Sequence, residues 1–298
     1  MTEQLPPPSL PDWLDQQLPF DRYLVELSDG MRVHVMEQGE GRPVVLFHGN
    51  PTWGYLYRKV AAELDDEPLR LVLPDLMGLG FSDRVPPGRF TLNDHINWIA
   101  DLLNTLRLGE ATAVVHDWGG AIGVGAFFRS ETSMAGLVVM NTGLGPPKPG
   151  FRPTTFHRIF STPGVAGLAR RLGLIEKNMA RVQGDRRSIS GEVRDAYFYP
   201  LRWGGNDAVI DFVRMVPDSI DHPSVGPLGE VGDFVAAYDG PAAIVWGKKD
   251  PILGRLLNRT RRALPQADVT VTDAGHFVQE EVPVEIAAAI RRVAFPRV

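Results

Sequence analysis

The stretch VVHDWGGAIG, residues 114–123, has valines leading in and glycines leading out, the composition of a tight strand-to-helix turn. A nucleophile elbow of this kind carries serine at its tip in the pattern G-x-S-x-G. Here the tip carries Asp117. A carboxylate gains little by attacking a carboxylic ester, because the anhydride formed is no better than the substrate. It is well suited to displacing a leaving group from saturated carbon, which leaves an alkyl ester on the protein. Water must then attack the carboxyl carbon of Asp117 itself, a step that needs a general base and donors for the oxyanion. The competing reading of Asp117 is an N-cap for the helix that follows.

The segment DAGHFVQEE supplies a base, His276, on a glycine-containing loop after the last apolar run. His48 and His116 sit beside the two turns and read as structural contributors to them. An orienting acid is expected in WGKKDPIL, where Asp250 follows the run 242–246; a plain Asp-Pro turn is the alternative. Asp273 is too close in sequence to His276 to serve and is expected to face away or to hold the loop. The other strand end that could carry the acid reads VVMNTG, with Asn141 and no carboxylate. In FHGNPTWGYLYR, Asn50 follows a strand in a Gly-Asn-Pro turn. Its backbone N–H and that of Trp118 are expected to form the oxyanion hole. The Asn50 amide and the Trp118 indole N–H are neutral donors, suited to an anion that must bind and then leave.

These residues require a sheet that presents its strand ends together. Tyr23–Leu27 and Arg32–Glu37 flank SDG, a hairpin signal. Apolar runs follow at 44–47, 69–74, 111–115, 136–140, 242–246 and 268–272, with no alternation in the later ones, as in strands covered on both faces. Helical patterns separate them at Gly54–Leu64, Leu92–Leu106, Trp118–Arg129, Leu253–Leu264 and Val282–Val293. The expectation is an α/β fold with a mostly parallel sheet of about eight strands flanked by helices. From Gly145 to about Val231 no buried strand is legible, and helical fragments such as Val165–Leu174 and Asp207–Val213 predict an inserted helical layer. The core is thus expected to be 1–144 and 232–298, and the cap 145–231. Within it, Arg170–Arg187 carries five Arg and one Lys, which reads either as a solvated face or as a patch for an acidic partner.

The 298 residues with 44% hydrophobic content suit one large domain with an insertion, or two domains, and a net charge of −5 argues against a nucleic-acid partner. The absence of cysteine excludes disulfides, thiolate metal sites and a cysteine nucleophile. The proline-rich, acidic start does not read as a signal peptide and no apolar run is long enough to span a bilayer, so a cytoplasmic, membrane-free chain is expected.

The motifs HGNPTWGYLYR, DLMGLGFSDR, VVHDWGGAIG, WGKKDPIL and DAGHFVQEE, in that order and over essentially the whole chain, resemble the haloalkane dehalogenases of the α/β-hydrolase superfamily. The resemblance implies Asp117 as nucleophile, His276 as base, Asp250 as orienting acid, and Asn50 with Trp118 as the halide pair. That combination resembles the family's third subgroup. It implies no metal or cofactor, and a small halogenated hydrocarbon, water and halide as partners. Trp203 would be the candidate second halide tryptophan of another subgroup, but Asn50 makes it unnecessary. Leu144, Phe151, Phe156, Phe160 and Val278 are candidates for the pocket wall, though core packing explains each of them as well. The rival reading is an epoxide hydrolase, with Tyr197 and Tyr199 as proton donors to an alkoxide. A non-catalytic ligand-binding protein on the same fold is a third.

Overall fold

The computed structural model describes residues 4–86, 88–148, 162–204 and 207–296. Nine strands form one sheet: β1 (Gln4–Leu5), β2 (Asp21–Glu26), β3 (Arg32–Gln38), β4 (Arg42–Phe47), β5 (Leu69–Pro74), β6 (Glu110–His116), β7 (Ser133–Met140), β8 (Ala242–Gly247) and β9 (Asp268–Thr272). Their order is β1-β2-β3-β5-β4-β6-β7-β8-β9. The first four in this order pair antiparallel, and from β5 onward every pair is parallel. The ninth strand is the addition to the expected eight. Two residues of the proline-rich arm, Gln4 and Leu5, pair with Val25 and Leu24 at the sheet edge. The three prolines that follow, Pro6 to Pro8, leave too short a run for a sequence signal.

Both faces of β4 to β8 are covered, which explains their unbroken apolar runs, whereas β9, expected to be covered too, is an edge strand left half-exposed with its valines alternating with threonines. Val45, Phe47, Val115 and Val139 point to the helices Leu92–Leu106, Trp118–Arg129 and Val225–Ala237. Val44, Leu46, Val114 and Val138 point to Arg58–Ala62 and Pro283–Ala294. Leu92–Leu106 begins where the Thr91 side chain accepts from the Asp94 N–H and ends at left-handed Arg107. Two expected helices are shorter and split. Gly54–Leu64 becomes a 3₁₀ turn, Gly54–Tyr57, and the helix Arg58–Ala62; Leu253–Leu264 becomes a 3₁₀ turn, Gly254–Leu256, and the helix Leu257–Ala263.

Between β7 and β8 the described residues hold helices and turns and no strand. The expected boundary after residue 231 falls inside the helix Val225–Ala237, which packs against Trp118–Arg129. Its glycines, Gly226, Gly229 and Gly232, weaken the helical signal in the sequence. No helix among the described residues is long and apolar enough to cross a membrane.

The strand order sets the position of the site. From β4 the chain moves to β5 on one side, then returns past β4 to β6 on the other. The crevice at the carboxyl ends of β4 and β6 is therefore the switch point, where open α/β sheets bind ligands. Parallel register places Phe47 beside Val115, His116 beside Met140, and Met140 beside Val245. The turns that follow β4, β6, β7 and β8 thus emerge side by side.

Candidate active site

Asp117 stands at the tip of the turn after β6 with φ 49° and ψ −127°. A non-glycine residue in this region is strained and must be held by its surroundings. Its N–H donates to Asn141 O at 3.3 Å. Its carbonyl accepts from the Thr142 hydroxyl at 2.5 Å. Small residues let the neighbouring chain come close: a Cβ on Gly49 would lie 2.3 Å from the Asp117 side chain, and one on Gly119 would lie 2.4 Å from His48 O. The two nearby histidines hold backbone rather than face the pocket. The His48 ring accepts from the Leu76 N–H at 2.8 Å and lies 3.0 Å from Gly49 O. His116 Nε2 lies 2.8 Å from His276 O.

The carboxylate of Asp117 meets three partners. Asn50 N–H donates to Oδ1 at 2.9 Å. The Trp118 backbone N–H lies close enough to the carboxylate to help hold its pKa down. His276 Nε2 lies 3.6 Å from Oδ2. On the far side of the imidazole, His276 Nδ1 lies 2.9 Å from Asp250 Oδ2. Asp250 is in turn held by the Ile252 N–H at 2.7 Å and by the Asn141 amide at 2.8 Å. Asn141 also bonds both the carbonyl and the N–H of Gly247, at 2.9 and 2.8 Å, clamping the end of β8. Asp273 faces away, paired with Lys248 at 3.0 Å.

Burial and charge set the protonation states. Burial pushes Asp117 up, but the hydrogen bond and charge of His276 outweigh it and hold the carboxyl below its usual range. Burial also opposes ionisation of Asp250, yet the His276 charge and hydrogen bond, with the Asn141 amide, bring it down to about 2. Desolvation would lower His276. The Asp250 charge and the Asp117 and Asp250 hydrogen bonds overcome it and push the imidazole up to about 10. The free site is therefore an imidazolium between two carboxylates.

The loop carrying His276 is stitched to the inserted segment 182–185. His276 N–H donates to Val182 O at 2.9 Å, and Phe277 N–H to the Gln183 side chain at 2.8 Å. Gln183 Nε2 returns a bond to Phe277 O at 3.2 Å. Glu281 accepts from the N–H groups of Gly275, Gly184 and Asp185 at 2.9, 3.0 and 2.8 Å. None of Asn141, Gln183 and Glu281 was singled out as a candidate from sequence. The only hint was the amide of Asn141 at a strand end where an acid could stand.

Above Asp117 opens a pocket of about 840 Å³. Asn50, Asp117, Trp118 and His276 face it among mostly apolar walls. Asn50 spends one amide hydrogen on Val209 O, at 3.0 Å. The Trp118 indole N–H has no hydrogen-bond partner among the described residues. Two of the expected wall residues lie elsewhere. Leu144 and Val278 are buried in the two cores, since apolar character alone does not separate core from pocket. Phe151, Phe156 and Phe160 lie outside the described residues, as does the side chain of Trp203. The two cap tyrosines are also committed elsewhere. Tyr197 is buried and donates to Glu280 at 2.5 Å, and Tyr199 packs on Trp13 and Phe81. None of the six tyrosines of the chain lines the pocket.

A family model described as alpha/beta hydrolase fold matches residues 42–283. A haloalkane dehalogenase of Mycobacterium marinum is 33% identical over 91% of this chain and 93% of its own length. A cis-3-alkyl-4-alkyloxetan-2-one decarboxylase of Shewanella oneidensis is 30% identical over 93% of this chain and 89% of its own. Among solved structures, the epoxide hydrolase CorEH superposes with a TM-score of 0.77 at 19% identity, covering 93% of this chain and 99% of that one, a likeness of fold. The chain belongs to the α/β-hydrolase fold family and, within it, to the haloalkane dehalogenase family of enzymes.

Proposed function

We propose that the protein hydrolyses haloalkanes to an alcohol, halide and a proton through a covalent ester on Asp117. The observation that carries this reading is a carboxylate, rather than a hydroxyl, on a strained turn facing an apolar pocket with a His–Asp pair behind it. Asp117 attacks the carbon bearing the halogen, and the halide leaves toward the Asn50 amide and the Trp118 indole. Water, deprotonated by His276, then attacks the carboxyl carbon of Asp117. The Asn50 and Trp118 backbone N–H groups, already directed at this carboxylate, hold the oxyanion that forms. Asp250 keeps the imidazole in place and stabilises its cation.

His276 is required only in the second step, because halide leaves as a stable anion without a proton. His276→Phe should therefore become alkylated and stay so. Incubated with 1-bromobutane, it is expected to gain one butyl group on Asp117 by peptide mass spectrometry. A folded variant that binds substrate yet remains unmodified would overturn the assignment.

The protonation state of the free site adds a second expectation. Esterification removes the charge of Asp117 and its hydrogen bond, both of which raise His276. The imidazole pKa must fall on alkylation, so the proton leaves then and His276 becomes a base in time for hydrolysis. Rapid mixing with a pH indicator near neutrality should show protons appearing with the halide. Protons that appear only with the alcohol would mean that free His276 is neutral.

A second reading has its own support. Relatives named as decarboxylases of oxetan-2-ones match at 30% identity over most of the chain. A four-membered lactone also offers a strained electrophile to a carboxylate nucleophile. Its decarboxylation consumes no water. The epoxide reading loses support, since an alkoxide needs a proton donor and no tyrosine faces the pocket. Assaying a bromoalkane series and a 3,4-dialkyl oxetan-2-one side by side separates the readings by bromide or carbon dioxide release.

A further inference from the structure

The pocket carries a charge pattern that dehalogenation of a neutral alkane leaves unused. Among the described residues its lining holds, besides the catalytic His276, four cationic side chains, Lys148, Arg181, Arg255 and Arg259, and one carboxylate, the nucleophile Asp117. Composition does not produce this bias, since the chain has 36 acidic and 31 basic residues. Arg255 and Arg259 are four residues apart, in the turn Gly254–Leu256 and the helix Leu257–Ala263, a spacing that puts them on one side. Arg181 belongs to the turn Met179–Val182, whose last carbonyl accepts from His276 N–H. Its place relative to the reacting groups is thereby fixed, and among the described side chains of the basic run 170–187 it is the one arginine that faces the pocket.

Arg259 is the most informative of the four. It is half-buried and donates to Pro146 O at 2.6 Å, and no described carboxylate pairs with it. Burial lowers its pKa, as expected of a guanidinium that has lost water without gaining an anion. Elsewhere in this fold, sheltered arginines are matched: Arg58 with Glu280 and Arg70 with Glu37. A guanidinium offers five N–H donors, so one carbonyl leaves most of Arg259 free for a ligand.

We propose that the substrate is an ω-halogenated alkanoate, with the halogenated carbon at Asp117, an apolar chain along the walls, and a terminal carboxylate among Arg181, Arg255 and Arg259. The chain must keep the two carboxylates apart, because they would repel strongly in an apolar cavity. Arginine suits the remote end, since its fork matches a carboxylate in two parallel hydrogen bonds.

This inference rests on the dehalogenation reading for its reactive end, and the experiment separates the two. Bromide release is measured for 1-bromoalkanes and ω-bromoalkanoates of matched length, at low and high salt. In parallel, binding of unreactive octanoate and 1-octanol is followed by quenching of tryptophan fluorescence, which needs no turnover. The acids should be preferred by at least about tenfold in kcat/KM, the worth of one charge-assisted hydrogen bond. Salt should erode that preference. In Arg181→Gln/Arg259→Gln the ratio of acid to neutral substrate should fall toward one. Tight octanoate binding without bromide release from any substrate would overturn the dehalogenation reading and leave the anion-binding pocket standing. Turnover of neutral bromoalkanes with no preference for the acids, and octanoate bound no better than octanol, would overturn the inference and leave these cations as a solvated rim.

Discussion

Replacing Asp117 should abolish halide release, with a fall on the order of a millionfold, the scale seen when a nucleophile is removed from a working triad. No other carboxylate can take over, because among the described residues Asp117 is the pocket's only acid. Asp250 is buried behind the imidazole and held by His276, Asn141 and Ile252. The choice of variant matters. Alanine at φ 49°, ψ −127° is strained and also deprives the Asn50 N–H of its acceptor. Asparagine tolerates positive φ better and keeps an oxygen for these donors, so Asp117→Asn isolates the lost charge and nucleophilicity from damage to the turn. Both variants should release no bromide from 1-bromobutane above the uncatalysed rate, with circular dichroism unchanged for Asp117→Asn. In the background of His276→Phe, neither should acquire an alkyl group. Bromide release by folded Asp117→Asn at more than about a thousandth of the normal rate would point to direct attack by water and end the covalent mechanism.

The site was legible where chemistry and secondary structure coincide. Asp117, Asp250 and His276 each follow an apolar β-branched run, so their placement at strand ends could be read from local pattern. The apolar runs were themselves legible because β4 to β8 are covered on both faces, which leaves no polar alternation to confuse the period. What supports the base was not legible. Gln183 lies 94 positions from Phe277, and nothing local in either segment predicts that one side chain pins both backbone groups of the other. Asn141 could be read as the absence of an acid, but not as the amide that clamps Gly247 and Asp250. Tyr197 looked like a proton donor because of its type alone; its partner, Glu280, sits 83 positions away beyond β9. Residue type gives capacity, and only the fold decides which capacities reach the pocket.

Trp118→Phe should slow formation of the alkyl ester by roughly a hundredfold to a thousandfold, the usual consequence of removing one preorganised donor from the charge it stabilises. Negative charge grows on the halogen only as the carbon–halogen bond breaks. A donor aimed there therefore favours the transition state over the neutral substrate and acts on rate more than on binding. Phenylalanine keeps an aromatic ring against Phe212, whose centroid lies 6.2 Å from that of Trp118, so packing is largely preserved. It also keeps the backbone N–H that faces the Asp117 carboxylate. Hydrolysis of an ester already formed should consequently change little. Asn50→Ala is a less clean probe, because the Asn50 amide also donates to Val209 O in the helix Asp207–Arg214, and its loss strips that carbonyl of a partner. It too keeps its backbone N–H on Asp117, so its defect should again fall on alkylation. Rapid-quench single turnovers with 1-bromobutane, scoring bromide and alcohol separately, give the two rates. A deficit confined to alkylation in both variants supports leaving-group stabilisation by these side chains. Unchanged alkylation in Trp118→Phe would remove the indole from that role. The oxetan-2-one reaction expels no halide, so under that second reading the same substitution should leave lactone turnover near normal while dehalogenation falls.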